Sequence, residues 1–112
     1  MPTKVAIVGV TGYAGGELAR LVLRHPEARL VAAVARSHQG EPLRAAQPHL
    51  HAAPDSLVIG SDVDDAEVVF TALPAGEAAK QTRAWLGDGR IVIDIGSDFR
   101  LRDPQAYETW YG

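Results

Sequence analysis

The stretch from Lys4 to Arg24, KVAIVGVTGYAGGELARLVLR, constrains this chain more than any other. It opens on an apolar, β-branched run, Val5-Ala6-Ile7-Val8, which predicts a strand. The run breaks at Gly9 and passes through Thr11-Gly12-Tyr13-Ala14-Gly15-Gly16. It then turns helical in period, with Leu18, Leu21 and Val22 spaced for one helix face. Strand, glycine turn and helix in that order open a nucleotide-binding βαβ unit. Gly9 permits the tight turn, Gly12 lets backbone approach a pyrophosphate, and Gly15 lets the helix pack close to the strand. The N–H groups at the helix start then offer an anion site. The spacing is GxxGxxG rather than the commoner GxGxxG, so a plain turn is the competing reading. Position between strand and helix favours the nucleotide.

The helical period ends at His25-Pro26-Glu27, because the residue before a proline resists the α conformation. Arg29 to Ala35, RLVAAVA, is a continuous apolar run and predicts a second strand, buried on both faces as parallel strands are. In an NAD-binding fold an acid near the end of this strand holds the ribose 2′-hydroxyl. Here the strand leads into Arg36-Ser37-His38, with no acid before Glu41. Arginine and serine there suit a 2′-phosphate, and so NADP. A solvated arginine at a strand end is the plainer alternative.

Residues 39–56 hold four of the turn-forming residues Gly40, Pro42, Pro48 and Pro54, and predict a loop with at most a short helical turn. His49 and His51 within it read as surface histidines rather than a metal pair, because no further ligand stands at a fitting spacing. Leu57-Val58-Ile59 predicts a short third strand. Asp62, Asp64, Asp65 and Glu67 lack the glycine and terminal glutamate of a calcium loop and read as a solvated turn. A fourth strand is expected over Glu67–Leu73, a helix over Glu77–Leu86 and a fifth strand over Arg90–Ile95.

These elements predict an α/β, doubly wound parallel sheet of Rossmann type with strand order 3-2-1-4-5. The carboxyl ends of strands one, four and five are then Gly9-Val10-Thr11, Leu73-Pro74-Ala75 and Gly96-Ser97-Asp98. Ligands sit outside such strand ends, so these turns outline a groove. Tyr107, Trp110 and Tyr111 are expected to dock their segment against protein.

At 112 residues the chain is expected to be one domain. A net charge of −3 gives no reason to expect a nucleic-acid partner, and no apolar run approaches a membrane span. The early strand leaves no room for a signal peptide, so the cytoplasm is expected. Zero cysteines exclude disulfides, thiolate metal sites and a cysteine nucleophile within these residues.

Three segments, GVTGYAGGELARLVLRHP, FTALPAGEA and IDIGSDFRLRDPQAYETWYG, together closely resemble the N-acetyl-gamma-glutamyl-phosphate reductase family, in order and over essentially the whole chain. DFRLRDP with the following YxxWYG is the specific part. The family has serine-alanine before DFRL where this chain has Gly96-Ser97, a change at a turn near the cofactor. The resemblance implies an NADP-dependent semialdehyde dehydrogenase of arginine biosynthesis, in which a cysteine thioester exchanges hydride with the cofactor. That cysteine and its assisting histidine belong to the family's second domain, and nothing here matches them. The resemblance therefore implies an NADP-binding domain over residues 1–112, cut before the catalytic domain, inactive alone and carrying no catalytic residue. It puts the cofactor loop on Thr11, Gly12, Tyr13, Ala14 and Gly15, and Arg36 and Ser37 at the 2′-phosphate. Leu73-Pro74 would border the nicotinamide, with Ser97 a weaker member of the groove. Arg100 either binds the substrate phosphate or pairs with Asp98 or Asp103. No metal is expected. The complete enzyme would take a small acyl phosphate, act as a homo-oligomer and have no membrane or nucleic-acid partner.

Three alternatives stand beside this reading. The related reductase of carrier-protein-linked lysine biosynthesis has nearly the same motifs. A noncatalytic NADP-binding module fits the absence of cysteine. An epimerase-like short-chain reductase needs a Tyr-x-x-x-Lys pair, and the residues four positions after Tyr107 and Tyr13 are Tyr111 and Glu17.

Overall fold

The computed structural model describes residues 2–73 and 88–95. The expected helix over residues 77–86, and Pro74, Ser97, Arg100 and the aromatic residues near the end of the chain, lie outside the described residues. Among the described residues seven elements follow one another: β1 (Thr3–Val8), α1 (Tyr13–Arg24), β2 (Ala28–Val34), α2 (Leu43–Ala46), β3 (Ile59–Gly60), β4 (Val68–Thr71) and β5 (Ile91–Asp94). The strands form one sheet in the order β3-β2-β1-β4-β5, and every pairing in it is parallel. This is the expected doubly wound order, with β1 at the centre. The third strand begins two residues later than its apolar run. Val58 instead makes an antiparallel bridge to Pro42.

Alternation along β1 divides the core in two. Val5 and Ile7 join one cluster with α1, while Ala6 and Val8 join a second with Val34, Val63 and Val69. A strand covered on both faces has no polar side, which is why its sequence reads as an unbroken apolar run. Val5 pairs with Leu30 and Ala6 with Ala32, so β2 carries one extra residue at Val31.

The helix face differs from the predicted one. Leu21 is 55% exposed, and the buried positions of α1 are Gly15, Gly16, Ala19 and Val22, with Leu18 partly buried. Small residues face the sheet because the helix start lies too close to the first turn for larger ones. The loop of residues 39–56 contains the one-turn α2, and it contributes core rather than a solvated connection. Leu43, Leu50 and Ala53 are buried in the same cluster as α1. His49 and His51, flanking Leu50, are exposed.

The turn before β4 is polar, as expected. Asp62 Oδ1 accepts from the Asp64 N–H at 3.0 Å. The hydrogen bond from Lys4 Nζ to Asp65, 2.7 Å long, holds that carboxyl below its ordinary value. Because folding lowers this value, the stabilisation is present at neutral pH and is lost as pH falls through it. The pair is exposed, so its contribution is small. At the far end of the same strand the fully buried Thr71 donates from Oγ1 to Asp94 Oδ1 at 2.9 Å, tying β4 to β5. Among the described residues no helix is long and apolar enough to cross a membrane.

Candidate functional site

The site is built where β1 runs out. The N–H groups of Gly9 and Val10 both donate to the Val34 carbonyl, at 2.8 and 3.1 Å, so the turn is pinned to the end of β2. Val10 is fully buried and anchors it from below. Gly9 has φ +88°, a conformation few side chains adopt, and a Cβ there would lie 2.4 Å from the Ala72 carbonyl oxygen. Gly15 has an equally specific reason to be glycine. Its Cβ would lie 2.1 Å from the Gly9 carbonyl oxygen, so helix and turn touch backbone to backbone.

Gly12 is different. It caps α1 with φ −79° and ψ 172°, and its Cβ would meet only the Gly9 oxygen at 3.5 Å. Nothing among the described residues demands a glycine there. No other described residue fills the space in front of it, as backbone approached by a ligand requires. Gly12, Tyr13 and Ala14 are exposed, whereas Gly15 and Gly16 are buried. No side chain caps α1 and its first turn carries no acid. The early N–H groups of a helix have no acceptor within it, and its positive end attracts an anion.

Ser37 and Arg36 follow β2 on the same edge. Thr11 Oγ1 and Ser37 Oγ are hydrogen-bonded at 3.2 Å, which joins the glycine loop to the end of the second strand. Arg36, exposed, lies on the wall of a cavity of about 120 Å³ with Val8, Val34, Ala35, Gln39, Ser61 and Leu73. Leu73 also reaches the turn, since a Cβ on Gly9 would meet its Cδ2 at 3.4 Å. Glu41, the first acid after β2, is engaged by His38 Nδ1 at 2.7 Å. A larger cleft of about 550 Å³, lined by Lys4, Arg29 and Asp65 among others, opens at the amino ends of β1 and β2, the opposite edge from the glycine loop. Among the described residues no group of three or more His, Cys, Asp or Glu side chains is set to hold a metal ion.

Nine of the residues singled out in the sequence therefore come together on one edge of the sheet: Gly9, Thr11, Gly12, Tyr13, Ala14, Gly15, Arg36, Ser37 and Leu73. Pro74, Ser97 and Arg100 lie outside the described residues. One residue at this edge had no sequence signal. Gln47, just after α2, donates from Nε2 to the Val10 carbonyl at 2.9 Å and to the Gly12 carbonyl at 3.1 Å.

A parallel sheet in this order, with a glycine turn passing into a helix start at its carboxyl edge, defines a dinucleotide-binding domain of the doubly wound class. The chain belongs to the family described as semialdehyde dehydrogenase, NAD-binding domain, whose profile matches residues 4–112. The chain is 47% identical over 115 aligned residues to N-acetyl-gamma-glutamyl-phosphate reductase of Acidothermus cellulolyticus, covering 100% of this chain and 33% of that protein. To the protein of the same description from Desulforudis audaxviator it is 46% identical, covering 96% of this chain and 32% of the other. It thus spans about a third of the length of these relatives.

Among solved structures, aspartate semialdehyde dehydrogenase from Candida albicans, determined with NADP, superposes with a TM-score of 0.76 at 20% identity. It covers 91% of this chain and 32% of its own. Aspartate semialdehyde dehydrogenase II of Vibrio cholerae superposes with a TM-score of 0.72 at 19% identity, over 91% of this chain and 30% of its own. At these identities the likeness is one of fold.

Proposed function

We propose that residues 1–112 form the NADP-binding domain of a reductase that converts N-acetyl-glutamyl phosphate to N-acetyl-glutamate semialdehyde in cytoplasmic arginine biosynthesis. The observation that carries the cofactor reading is the Thr11–Ser37 hydrogen bond, which sets the glycine loop beside the end of β2 where Arg36 and Ser37 stand. The substrate reading is supported by the two relatives of that description, at 47% and 46% identity.

The residues fit a dinucleotide as follows. The N–H groups at the start of α1, with the loop Gly9–Gly15, receive the diphosphate. The part of the cavity walled by Val34, Ala35 and Gln39, beside Arg36, receives the adenosine. Arg36 and Ser37 hold the 2′-phosphate through charge-assisted and hydroxyl hydrogen bonds. Glu41 is turned onto His38 rather than offered to a 2′-hydroxyl. Leu73 and Pro74 border the nicotinamide, Ser97 flanks the groove, and Arg100 is assigned to the substrate phosphate. When bound, the cofactor supplies the hydride that reduces the acyl centre. The sequence holds no cysteine, so none of these residues is assigned to thioester formation, and the 112-residue chain is proposed to bind cofactor without turning it over.

Titration of the chain should show tighter binding of NADPH than of NADH. Arg36→Ala should narrow that preference about tenfold, the equivalent of about 1.5 kcal/mol and the lower end for a charge-assisted bond, since Arg36 is exposed. Equal affinity of the unaltered chain for both dinucleotides would overturn the NADP assignment.

A further inference from the structure

We propose that Gln47 is a positioning residue for the dinucleotide: its side-chain amide orients the peptide groups that present N–H donors to the diphosphate. The inference rests on the cofactor reading above. Gln47 Nε2 lies 2.9 Å from the Val10 carbonyl oxygen and 3.1 Å from that of Gly12. Both partners are acceptors only, so the amide must turn its NH2 toward them. The reversed amide would bring three carbonyl oxygens together.

A trans peptide is planar, with its C=O and N–H pointing in opposite directions. The Val10 carbonyl shares its peptide with the Thr11 N–H, and the Gly12 carbonyl with the Tyr13 N–H. Holding both carbonyls toward Gln47 therefore aims the N–H groups of Thr11 and Tyr13 away from it. Those two donors belong to the loop and helix start assigned to the diphosphate. Without Gln47, the Val10 carbonyl loses its Nε2 donor, while the Gly12 carbonyl still accepts from the Gly16 N–H at 2.9 Å. A peptide free to rotate can turn an oxygen, instead of a donor, toward an anion.

The amide is itself held in place. The Gln47 N–H donates to the Leu43 carbonyl at 2.9 Å, and the Gln47 carbonyl accepts from the Leu50 N–H at 3.0 Å. Leu43 and Leu50 are both buried in the core, so the segment is pinned on either side of the side chain. Gly16 completes the fit. A Cβ at Gly16 would lie 2.7 Å from Gln47 Nε2 and 2.9 Å from Cδ, so the amide occupies the space a side chain there would need. The second glycine of the Gly15-Gly16 pair thereby has a reason of its own.

The test uses the full chain, two probes and two variants. NADP⁺ engages the diphosphate site, whereas adenosine 2′-monophosphate engages only the adenosine and 2′-phosphate positions. Gln47→Leu keeps the bulk and removes the donor. It is expected to weaken NADP⁺ about tenfold while leaving adenosine 2′-monophosphate affinity and the melting temperature unchanged. Gln47→Glu puts acceptors against acceptors, and its NADP⁺ affinity, taken relative to the unaltered chain at each pH, should recover as acid protonates the carboxyl and restores a donor. Unchanged NADP⁺ binding by Gln47→Leu would overturn the proposal. So would an equal loss for both probes, which would make Gln47 a general prop of the fold. If Gln47→Leu does not fold, the pH profile of Gln47→Glu decides, a flat profile counting against the proposal. Failure of the unaltered chain to bind NADP⁺ would instead overturn the cofactor reading beneath it.

Discussion

Gly15→Ala is expected to lower the melting temperature by about 12 °C or more, a loss of about 3 kcal/mol in a domain of this size. The added Cβ would lie 2.1 Å from the Gly9 carbonyl oxygen, 2.8 Å from the Gly9 carbonyl carbon and 2.9 Å from Val10 Cα. All three are backbone atoms, so no rotamer change relieves the clash. Backbone movement is also blocked. Gly9 and Val10 are both bonded to the Val34 carbonyl, and Val10 is fully buried beneath them. Pushing α1 outward would strip Ala19 and Val22 from the core. The usual cost of overpacking is about 1–3 kcal/mol, and a site with no soft neighbour belongs at or above its upper end. Thermal unfolding followed by circular dichroism measures this directly. A shift of only a few degrees would mean that helix and turn separate more easily than these distances allow.

The same contact explains what could and could not be read in the sequence. Gly9 and Gly15 were legible because each serves the fold in a way the strand–turn–helix order already implies. β1 was legible for a related reason, since both of its faces are buried and the run shows no polar interruption. The inward face of α1 was misread at Leu21. Periodicity weighs large apolar side chains, whereas the face that meets the sheet is Gly15, Ala19 and Val22, small because the helix starts against backbone.

The segment between β2 and β3 hid its role more completely. Its buried residues, Leu43, Leu50 and Ala53, follow no helical or strand period, because turns around Pro42, Pro48 and Pro54 bring them inward one at a time. Gln47 lay beyond any local rule. It is a neutral side chain in a proline-rich loop, and its acceptors are 37 and 35 residues away. Gly16 was the one trace it left, a glycine that the turn and the helix start do not themselves require. For Arg36 and Ser37 the sequence supplied the residue types, and the Thr11–Ser37 bond supplied the neighbourhood that ties them to the loop.

Gly12→Ala should have the opposite profile to Gly15→Ala: a folded domain that has lost its ligand. With φ −79° and ψ 172°, Gly12 already occupies a conformation open to alanine, and the new Cβ would sit at an ordinary 3.5 Å from the Gly9 oxygen. Two smaller effects act on stability. Alanine is a poorer helix cap than glycine, a cost of about 1 kcal/mol, while a less flexible unfolded chain returns about 0.4–1 kcal/mol. They nearly cancel, so the melting temperature is expected to stay within about 4 °C of the original. Binding has no such compensation. The methyl group projects toward the side of the loop proposed to receive the diphosphate on its backbone N–H groups. Holding it off by the width of a methyl is expected to cost about 2 kcal/mol or more, a loss of at least about thirtyfold in NADP⁺ affinity. Calorimetric titration and a thermal melt on one sample separate the two quantities. A variant that melts normally and still binds NADP⁺ with undiminished affinity would show that the dinucleotide does not pass over Gly12, and the loop would then be a structural turn alone.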